Sequence, residues 1–320
     1  MSRHWSSAAA VVLCASVAPS CLPKDTRPVP AEVLVTVSAD EALLDSVPGS
    51  ATADGWSISL ERVLLGIGQP DVGGDEQPGC SEYSNPDYSR IFDMKAVTEP
   101  QKVGIAYALD HCPFSFQVRT PNPDSKIGAG ATSEDLRFMR TPGVDPYVEL
   151  AGVSVFVRGS ASRDGTTRRF AWAFRQRIRY DDCWRGEGAA AVAGLDLESG
   201  ADVTVNLEVQ GEALFRDHVD PKQAQLRFQA IADADADADG EVTLAELGEV
   251  ALADVSSPDR YLPAGAGADA GLPNTCSIPN APPRPFETLR DFVYCGLAPT
   301  LVRYGGDGAC QIGTGRGHFH

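Results

Sequence analysis

The sequence predicts a mainly β protein, an antiparallel β-sandwich or flattened barrel, over residues 31–217. Apolar and polar side chains alternate with period two in several separate segments, as they do in half-buried strands. Turn-forming Gly, Pro and Asp residues separate these segments. Seven or more short strands joined by such turns are typical of sandwiches and barrels. An appended helix–loop–helix and a disulfide-held C-terminal coil/helix segment complete the predicted fold.

The strands are predicted in order at 33–37, at 56–60, as a pair within 103–119, as a hairpin over 153–180, and at 202–210. Arg163-Asp164-Gly165 supplies the hairpin turn, because Asp-Gly is a strong signal for a tight connection. Phe170, Trp172 and Phe174 recur with a strict period of two. We expect these three aromatic side chains to lie in the core rather than to form a binding surface.

Four arginines lie on the opposite face of the same segment: Arg169, Arg175, Arg177 and Arg179. In an acidic protein they suggest contact with an anionic lipid or polysaccharide. A solvated sheet face paired with acidic neighbours such as Glu208 is the simpler interpretation, and like charges on one strand also discourage edge-to-edge aggregation.

Residues 235–246 form a twelve-residue string rich in oxygen donors, DADADGEVTLAE. Gly240, at position 6 of the string, provides the positive φ needed for a sharp reversal. The string resembles the EF-hand calcium loop at every ligand position. The resemblance implies a Ca²⁺ site formed by Asp235, Asp237, Asp239, the backbone carbonyl of Glu241, Thr243 and a bidentate Glu246.

The sequence flanking this loop predicts a helix–loop–helix over residues 218–255. Asp220-Pro221 is a helix-start signal, and apolar residues recur at helical spacing before and after the loop. Asp233 extends the Asp-Ala alternation upstream, but only a start at Asp235 places both Gly240 and Glu246 correctly. No second loop of this kind is present in the sequence, so we expect this one to pack against its host domain.

The N-terminus predicts export. Residues 1–20 have the charge and the short apolar run of a signal peptide. The small residues before Cys21 resemble the lipobox of bacterial lipoproteins, although Ala18 stands where leucine is usual. This resemblance implies a lipidated Cys21 followed by a tether over 21–30, and hence attachment to the cell envelope, most simply the outer membrane. A periplasmic or secreted protein with an ordinary signal peptide is the alternative.

Six further cysteines are candidates for disulfides: Cys80, Cys112, Cys183, Cys276, Cys295 and Cys310. An even number in an exported chain suggests three bonds, although fifteen pairings are possible in principle. Position along the chain favours Cys80 with Cys112 and a local pair among the last three. Residues 256–320 are predicted to be a Pro/Gly-rich linker and a cysteine-containing segment, with a short helix over 286–297 and glycine-rich coil after it.

The net charge of −17 argues against binding of nucleic acid, whose phosphates would be repelled. Beyond the signal peptide no apolar stretch is long enough to span a bilayer, so membrane contact is expected through the lipid anchor only. Five acidic residues lie within the loop string itself, so a cation there relieves local repulsion.

Sequence motifs for catalysis are absent: no G-x-S-x-G, H-E-x-x-H, P-loop or dinucleotide-binding motif is found. The terminal His318-Phe319-His320 is a weak metal motif. We therefore expect a non-enzymatic, calcium-binding envelope lipoprotein whose β domain binds a protein or glycan ligand. A secreted carbohydrate-active hydrolase with structural calcium is the alternative, and carriage of a small apolar ligand is a third hypothesis.

Overall fold

Strands dominate the computed structural model, which confirms the predicted mainly β class. It describes residues 27–73, 78–83, 85–186, 190–255, 261, 272–277 and 282–314. Among the helices in these ranges, none has the length and apolar character needed to cross a membrane.

The strands are β1 (Ala31–Ala39), β2 (Ser57–Val72), β3 (Ser89–Asp93), β4 (Gln101–Ala108), β5 (Asp110–Cys112), β6 (Phe114–Val118), β7 (Lys126–Ile127), β8 (Gly143–Asp145), β9 (Val148–Ala151), β10 (Val155–Arg163), β11 (Thr166–Phe174), β12 (Ile178–Arg185), β13 (Val192–Ala193), β14 (Leu195–Leu197), β15 (Asp202–Val209), β16 (Glu241–Val242), β17 (Thr275–Cys276), β18 (Arg284–Pro285), β19 (Val302–Tyr304) and β20 (Ala309–Thr314).

The α-helices are α1 (Glu41–Leu44), α2 (Pro78–Ser81), α3 (Ser133–Arg140), α4 (Gln229–Ala232), α5 (Leu244–Leu247) and α6 (Leu289–Asp291). Short 3₁₀ segments cover Met94–Ala96, Gly211–Phe215, Leu252–Asp254 and Ala298–Thr300, and a π-helical segment covers Phe292–Leu297.

Two sheets form the body of the fold. The smaller sheet has the order β19-β15-β1-β4, in which β1 and β15 are parallel and the other pairs antiparallel. The larger sheet has the order β13-β12-β6-β2-β10-β11-β16, with β20 also paired to β12 and β3 to β2. The smaller sheet therefore joins the beginning, middle and end of the described chain.

The inner faces of the two sheets share one apolar core, as the alternation predicts. Val205, Leu207 and Val209 of β15 are fully buried, and so are the side chains of Trp172 and Phe174 on β11. The interpretation of the aromatic stripe on β11 as core is confirmed, because Phe170 is also buried. The ring of Phe114 on β6 stacks on that of Tyr304 on β19 at 5.5 Å and so joins the two sheets directly.

The predicted hairpin forms between β10 and β11. Arg163 pairs with Thr166, and the two residues between them, Asp164 and Gly165, have φ of +50° and +80°. Positive φ at both central residues is the geometry of a type I′ turn, whose twist matches that of paired strands. The segment after Phe174 then leaves this hairpin, and Ile178 and Tyr180 belong to β12 instead.

All six predicted cysteines form disulfides, paired as Cys80–Cys112, Cys183–Cys310 and Cys276–Cys295. The first and last pairs match the arrangement that chain order favours. Cys183–Cys310 links β12 to β20 across a sequence separation of 127 residues. Three disulfides indicate an oxidising, non-cytoplasmic compartment.

The end of the chain is more regular than predicted. The predicted helix appears as a run of short helical segments from Leu289 to Thr300. The glycine-rich stretch after it is not coil, because it forms β19 and β20. Gly305 and Gly306, with φ of +62° and +82°, form the turn after β19. These two glycines therefore separate two strands. The strands are too short for the alternation of apolar and polar residues to be visible in the sequence.

A buried carboxylate holds this C-terminal segment against the sheets. Asp291 has no exposed surface, and its oxygens accept hydrogen bonds from both terminal nitrogens of Arg284 and from the Tyr147 hydroxyl at 2.7–2.9 Å. Backbone N–H groups of Glu287 and Thr288 complete the set. Burial alone raises the pKa of Asp291, but these hydrogen bonds together outweigh it, so its pKa is lowered.

Replacement of Asp291 by Asn is expected to destabilise the protein by at least about 2 kcal/mol, because Arg284 loses its buried partner. Urea unfolding of the oxidised protein measures the free energy. Glu287→Gln is the control, since the Glu287 side chain is 68 % exposed beside the same arginine and should cost no more than about 1 kcal/mol. Because the pKa of Asp291 is lowered, its contribution is present at neutral pH and lost as the pH falls through the folded-state value. Equal costs for the two variants would contradict this assignment.

Candidate metal centre

Residues 235–246, here called the acidic loop, reverse direction through two residues in the left-handed region of backbone conformation. Gly240 has a φ of +82° and Ala238 a φ of +59°. A Cβ added at Gly240 would meet no atom within 4 Å. The requirement for glycine at position 6 therefore comes from the backbone conformation rather than from lack of space.

Three aspartates converge inside this reversal. Asp235, Asp237 and Asp239 each offer a carboxylate oxygen, and these oxygens lie within 4.8 Å of one another. Local hydrogen bonds fix their directions. The N–H of Asp239 donates to Oδ1 of Asp237 at 3.1 Å, and the N–H of Glu241 donates to Oδ1 of Asp239 at 2.7 Å. Over the part of the chain that the structure describes, no other group of three or more potential metal ligands converges in this way.

Asp235 is the buried member of the three. Its side chain is 1 % exposed, and its Oδ2 accepts a hydrogen bond from Gly240 and lies 3.1 Å from Nε of Arg168. Its other oxygen, Oδ1, is buried and has no hydrogen-bond partner. A buried carboxylate oxygen without a donor is unfavourable. A cation at the centre of the three aspartates would satisfy this oxygen, so the donor set fits a metal ion.

Glu246 lies beside the aspartates but is engaged with the loop backbone. Its Oε2 accepts hydrogen bonds from the N–H and hydroxyl of Thr243, which forms a capping box at the start of α5. Its Oε1 accepts from the N–H of Ala236 at 3.2 Å, across the loop. The hydrogen bond from the Thr243 backbone is the main cause of the lowered pKa of Glu246. The carboxylate is thus held ionised by the loop backbone, but Glu246 is not part of the group of carboxylates that converge within 4.8 Å.

The loop is attached to the edge of the larger sheet. β16, which is formed by positions 7 and 8 of the loop, runs parallel to β11 and pairs with Arg169 and Phe170. The N–H of Arg169 donates to the carbonyl of Gly240 at 2.8 Å, and Nε1 of the buried Trp172 donates to the carbonyl of Val242 at 2.9 Å. The host domain therefore provides the packing that a single loop was expected to require.

The helices on either side of the loop are shorter than predicted. The prediction of a helix that starts at Asp220 is wrong, because α4 begins only at Gln229. Asp220 accepts hydrogen bonds from Lys222 and Gln223, and so forms a turn instead of capping a helix. Leu226 is drawn into bridges with Thr52 and Arg216. After the loop, α5 is a single turn that ends at Leu247.

Two residues that matter to this site carried no signal in the sequence. Oδ2 of Asp54, far away in the chain, accepts hydrogen bonds from the N–H groups of Phe228 and Gln229 at 2.6 and 2.7 Å and so starts α4. Arg168 pairs with Asp235. Arg168 reaches Asp235 because β11 lies beside the loop, and this neighbour relation is visible only in the fold.

Most of the other residues singled out in the sequence lie away from the acidic loop or outside the described part of the chain. Cys21, residues 1–20, His318 and His320 lie outside the described residues, and so does the linker at 262–271. Three of the four arginines predicted on the outer sheet face make polar contacts within the protein: Arg175 with the carbonyls of Thr141 and Ala151, Arg177 with Gln69 and Gln117, and Arg179 with Asp181. The fourth, Arg169, is exposed. The contacts of the other three disfavour a free basic surface, but the expected pairing with Glu208 is wrong, because Glu208 lies on β15 in the smaller sheet.

Comparison of the chain with protein-family models, with curated proteins and with solved structures gives no match. The chemistry of the site therefore rests on its own donor set. Carboxylate, hydroxyl and carbonyl oxygens are the ligands of hard cations such as Ca²⁺ and Mg²⁺, whereas zinc and copper sites typically include imidazole or thiolate ligands.

Proposed function

We propose that this protein is an exported calcium-binding protein in which one Ca²⁺, held by residues 235–246, stabilises the attachment of the loop to the β domain. The buried Oδ1 of Asp235, which has no hydrogen-bond donor and stands within a group of three converging carboxylates, carries the proposal. The expected ligands are Asp235, Asp237, Asp239, Glu241, Thr243 and Glu246.

The surroundings of the loop favour a structural ion over a signalling switch. Sensor EF-hands respond to calcium by changing the angle between two long helices. Here the flanking helices α4 and α5 have four residues each, and the strand between them is paired with β11. The segment therefore lacks the long helices whose relative angle could change on calcium binding. Calcium binding would instead increase the free energy of unfolding, by about 2.7 kcal/mol at a hundredfold excess over the dissociation constant.

Attachment to the cell envelope through a lipid on Cys21 is part of the same proposal. The lipobox-like sequence supports the anchor, and the three disulfides support an oxidising compartment. The mass of the mature N-terminal peptide tests the anchor. A peptide that begins at Cys21 and carries acyl chains is expected, and an unmodified N-terminus elsewhere would exclude it.

Calcium in millimolar excess is expected to raise the melting temperature by about 4 °C relative to protein in excess chelator, as for a gain of about 2.7 kcal/mol in a chain of this size. Asp235→Asn should abolish most of this shift, because position 1 of such loops requires a carboxylate, whereas positions 3 and 5 also accept asparagine. Magnesium should substitute poorly, since a bidentate glutamate favours the larger ion.

Asp233→Asn is the matched control. Asp233 continues the same Asp-Ala alternation but lies outside the loop, so this variant should keep the full calcium shift. A wild-type protein that melts at one temperature in chelator and in calcium contradicts the proposal. Equal losses in the two variants would instead contradict the register that begins at Asp235.

Arg168 is expected to compete with calcium for Asp235, because its Nε lies 3.1 Å from the Asp235 carboxylate. Arg168→Gln should lower stability in chelator and at the same time tighten calcium binding about threefold to tenfold, as expected from removing a nearby like charge in a partly solvated site. Calorimetric titration of ion-free protein measures the affinity. Arg169→Gln provides the control, since it removes the same charge from the next, exposed position. Tighter binding in both variants, or in neither, would contradict a specific role for Arg168.

A further inference from the structure

A polar cleft of about 620 Å³ lies along the larger sheet, away from the acidic loop. β2, β6 and β12 form its floor, and the segment that follows α2 forms one wall. The side chains that matter most here are Gln69, Asp71, Gln117, Arg179, Asp181 and Asp182.

Two residues that line the cleft have a left-handed backbone although neither is glycine. Gln69 has a φ of +48° and Asp182 a φ of +47°. Each lies at an irregularity in strand pairing, between Gly68 and Asp71 in β2 and between Asp181 and Trp184 in β12. Bulges and left-handed non-glycine residues are unfavourable, and they recur at functional sites, where they redirect a side chain. Both distortions here direct side chains into the same cleft.

The two glutamines present oriented amide donors. Nε of Arg177 donates to Oε1 of Gln117 at 2.6 Å, and its terminal NH2 group donates to Oε1 of Gln69 at 3.2 Å. Because a guanidinium can only donate, both amide oxygens must face Arg177. The two amide NH₂ groups are therefore not engaged by Arg177, and both side chains line the cleft.

Carboxylates on β2 and β12, two of the floor strands, supply acceptors. Asp71 accepts a hydrogen bond from Asn85 at 3.0 Å, and Asp181 accepts one from Arg179 at 3.1 Å, while each keeps a second oxygen. These carboxylates do not converge as metal ligands, since the only such group within the described residues is that of the acidic loop. Four aspartates line the cleft, which also disfavours an anionic ligand: Asp71, Asp87, Asp181 and Asp182.

We propose that this cleft binds a neutral saccharide. Each sugar hydroxyl both donates and accepts, which matches a floor that carries both amide donors and carboxylate acceptors. Pro70, Pro86 and Pro113 add apolar surface for the C–H groups of a sugar ring. The volume is within the usual range of about 300–1,000 Å³ for small-molecule sites. This site shares no residue with the calcium loop, so either proposal can fail without the other.

Titration calorimetry and saturation-transfer NMR on the oxidised, full-length protein test the site, with millimolar calcium present throughout. The probes are neutral mono- and disaccharides (glucose, galactose, N-acetylglucosamine, maltose and cellobiose), compared with glucuronate and inorganic phosphate. Saturable binding of at least one neutral sugar is expected. Binding of none of them, or binding of glucuronate or phosphate only, overturns the proposal.

Gln117→Ala should weaken the binding about threefold to tenfold, as expected for loss of one hydrogen bond to the ligand. Gln101→Ala is the matched control, because Gln101 lies on β4, away from the cleft, and should leave the affinity unchanged. Equal losses in the two variants overturn the assignment of the cleft.

Gln69→Gly separates binding from folding. Glycine accepts a positive φ without strain, and this gain offsets the loss of the hydrogen bond from Arg177, so the variant should melt within a few degrees of the wild type. It lacks the amide and should bind the sugar more weakly, again about threefold to tenfold. Undiminished binding in this variant overturns the role given to Gln69.

Discussion

Hydrogen bonding between β11 and β16 is the constraint on which the acidic loop depends. A loop with three carboxylates in close approach would not hold its shape alone, because the charges repel each other. Pairing with Arg169 and Phe170 fixes positions 7 and 8, and the indole of Trp172 fixes the carbonyl of Val242. The same pairing covers the edge of β11, where unpaired backbone groups would otherwise invite association with another chain. It also brings Arg168 to the carboxylate of Asp235.

The C-terminal segment connects the two sheets. β19 extends the smaller sheet and β20 pairs with β12 of the larger one, so a short stretch of chain contributes to both. Asp291 and its hydrogen-bond donors fix the helical run that precedes these strands. The cleft at β12 is consequently formed on a strand that is held by pairing to β6, by pairing to β20 and by a disulfide.

The sequence predicts those parts of the fold whose signals are local. β15 and the hairpin of β10 and β11 have uninterrupted alternation and a strong turn, and the structure confirms them. The helix expected from Asp220 does not form, because Leu226 in that segment bridges to Thr52, far away in the chain, and to Arg216. The convergence of the three aspartates followed from spacing and a glycine. The pairing of Arg168 and the bulge at Gln69 depend on strand neighbours and pairing register, and neither leaves a trace in the order of residues.

The Cys183–Cys310 link has a consequence for how the protein matures. Under the proposed export the N-terminal part of the chain crosses first, so Cys80 and Cys112 reach the oxidising compartment before the other four cysteines and can pair there. Cys183 then has to remain a thiol while the next 127 residues emerge, and Cys276 and Cys295 appear before its proper partner does. Correct maturation thus requires either that the nascent sheet shields this thiol or that a thiol–disulfide isomerase repairs early mispairing.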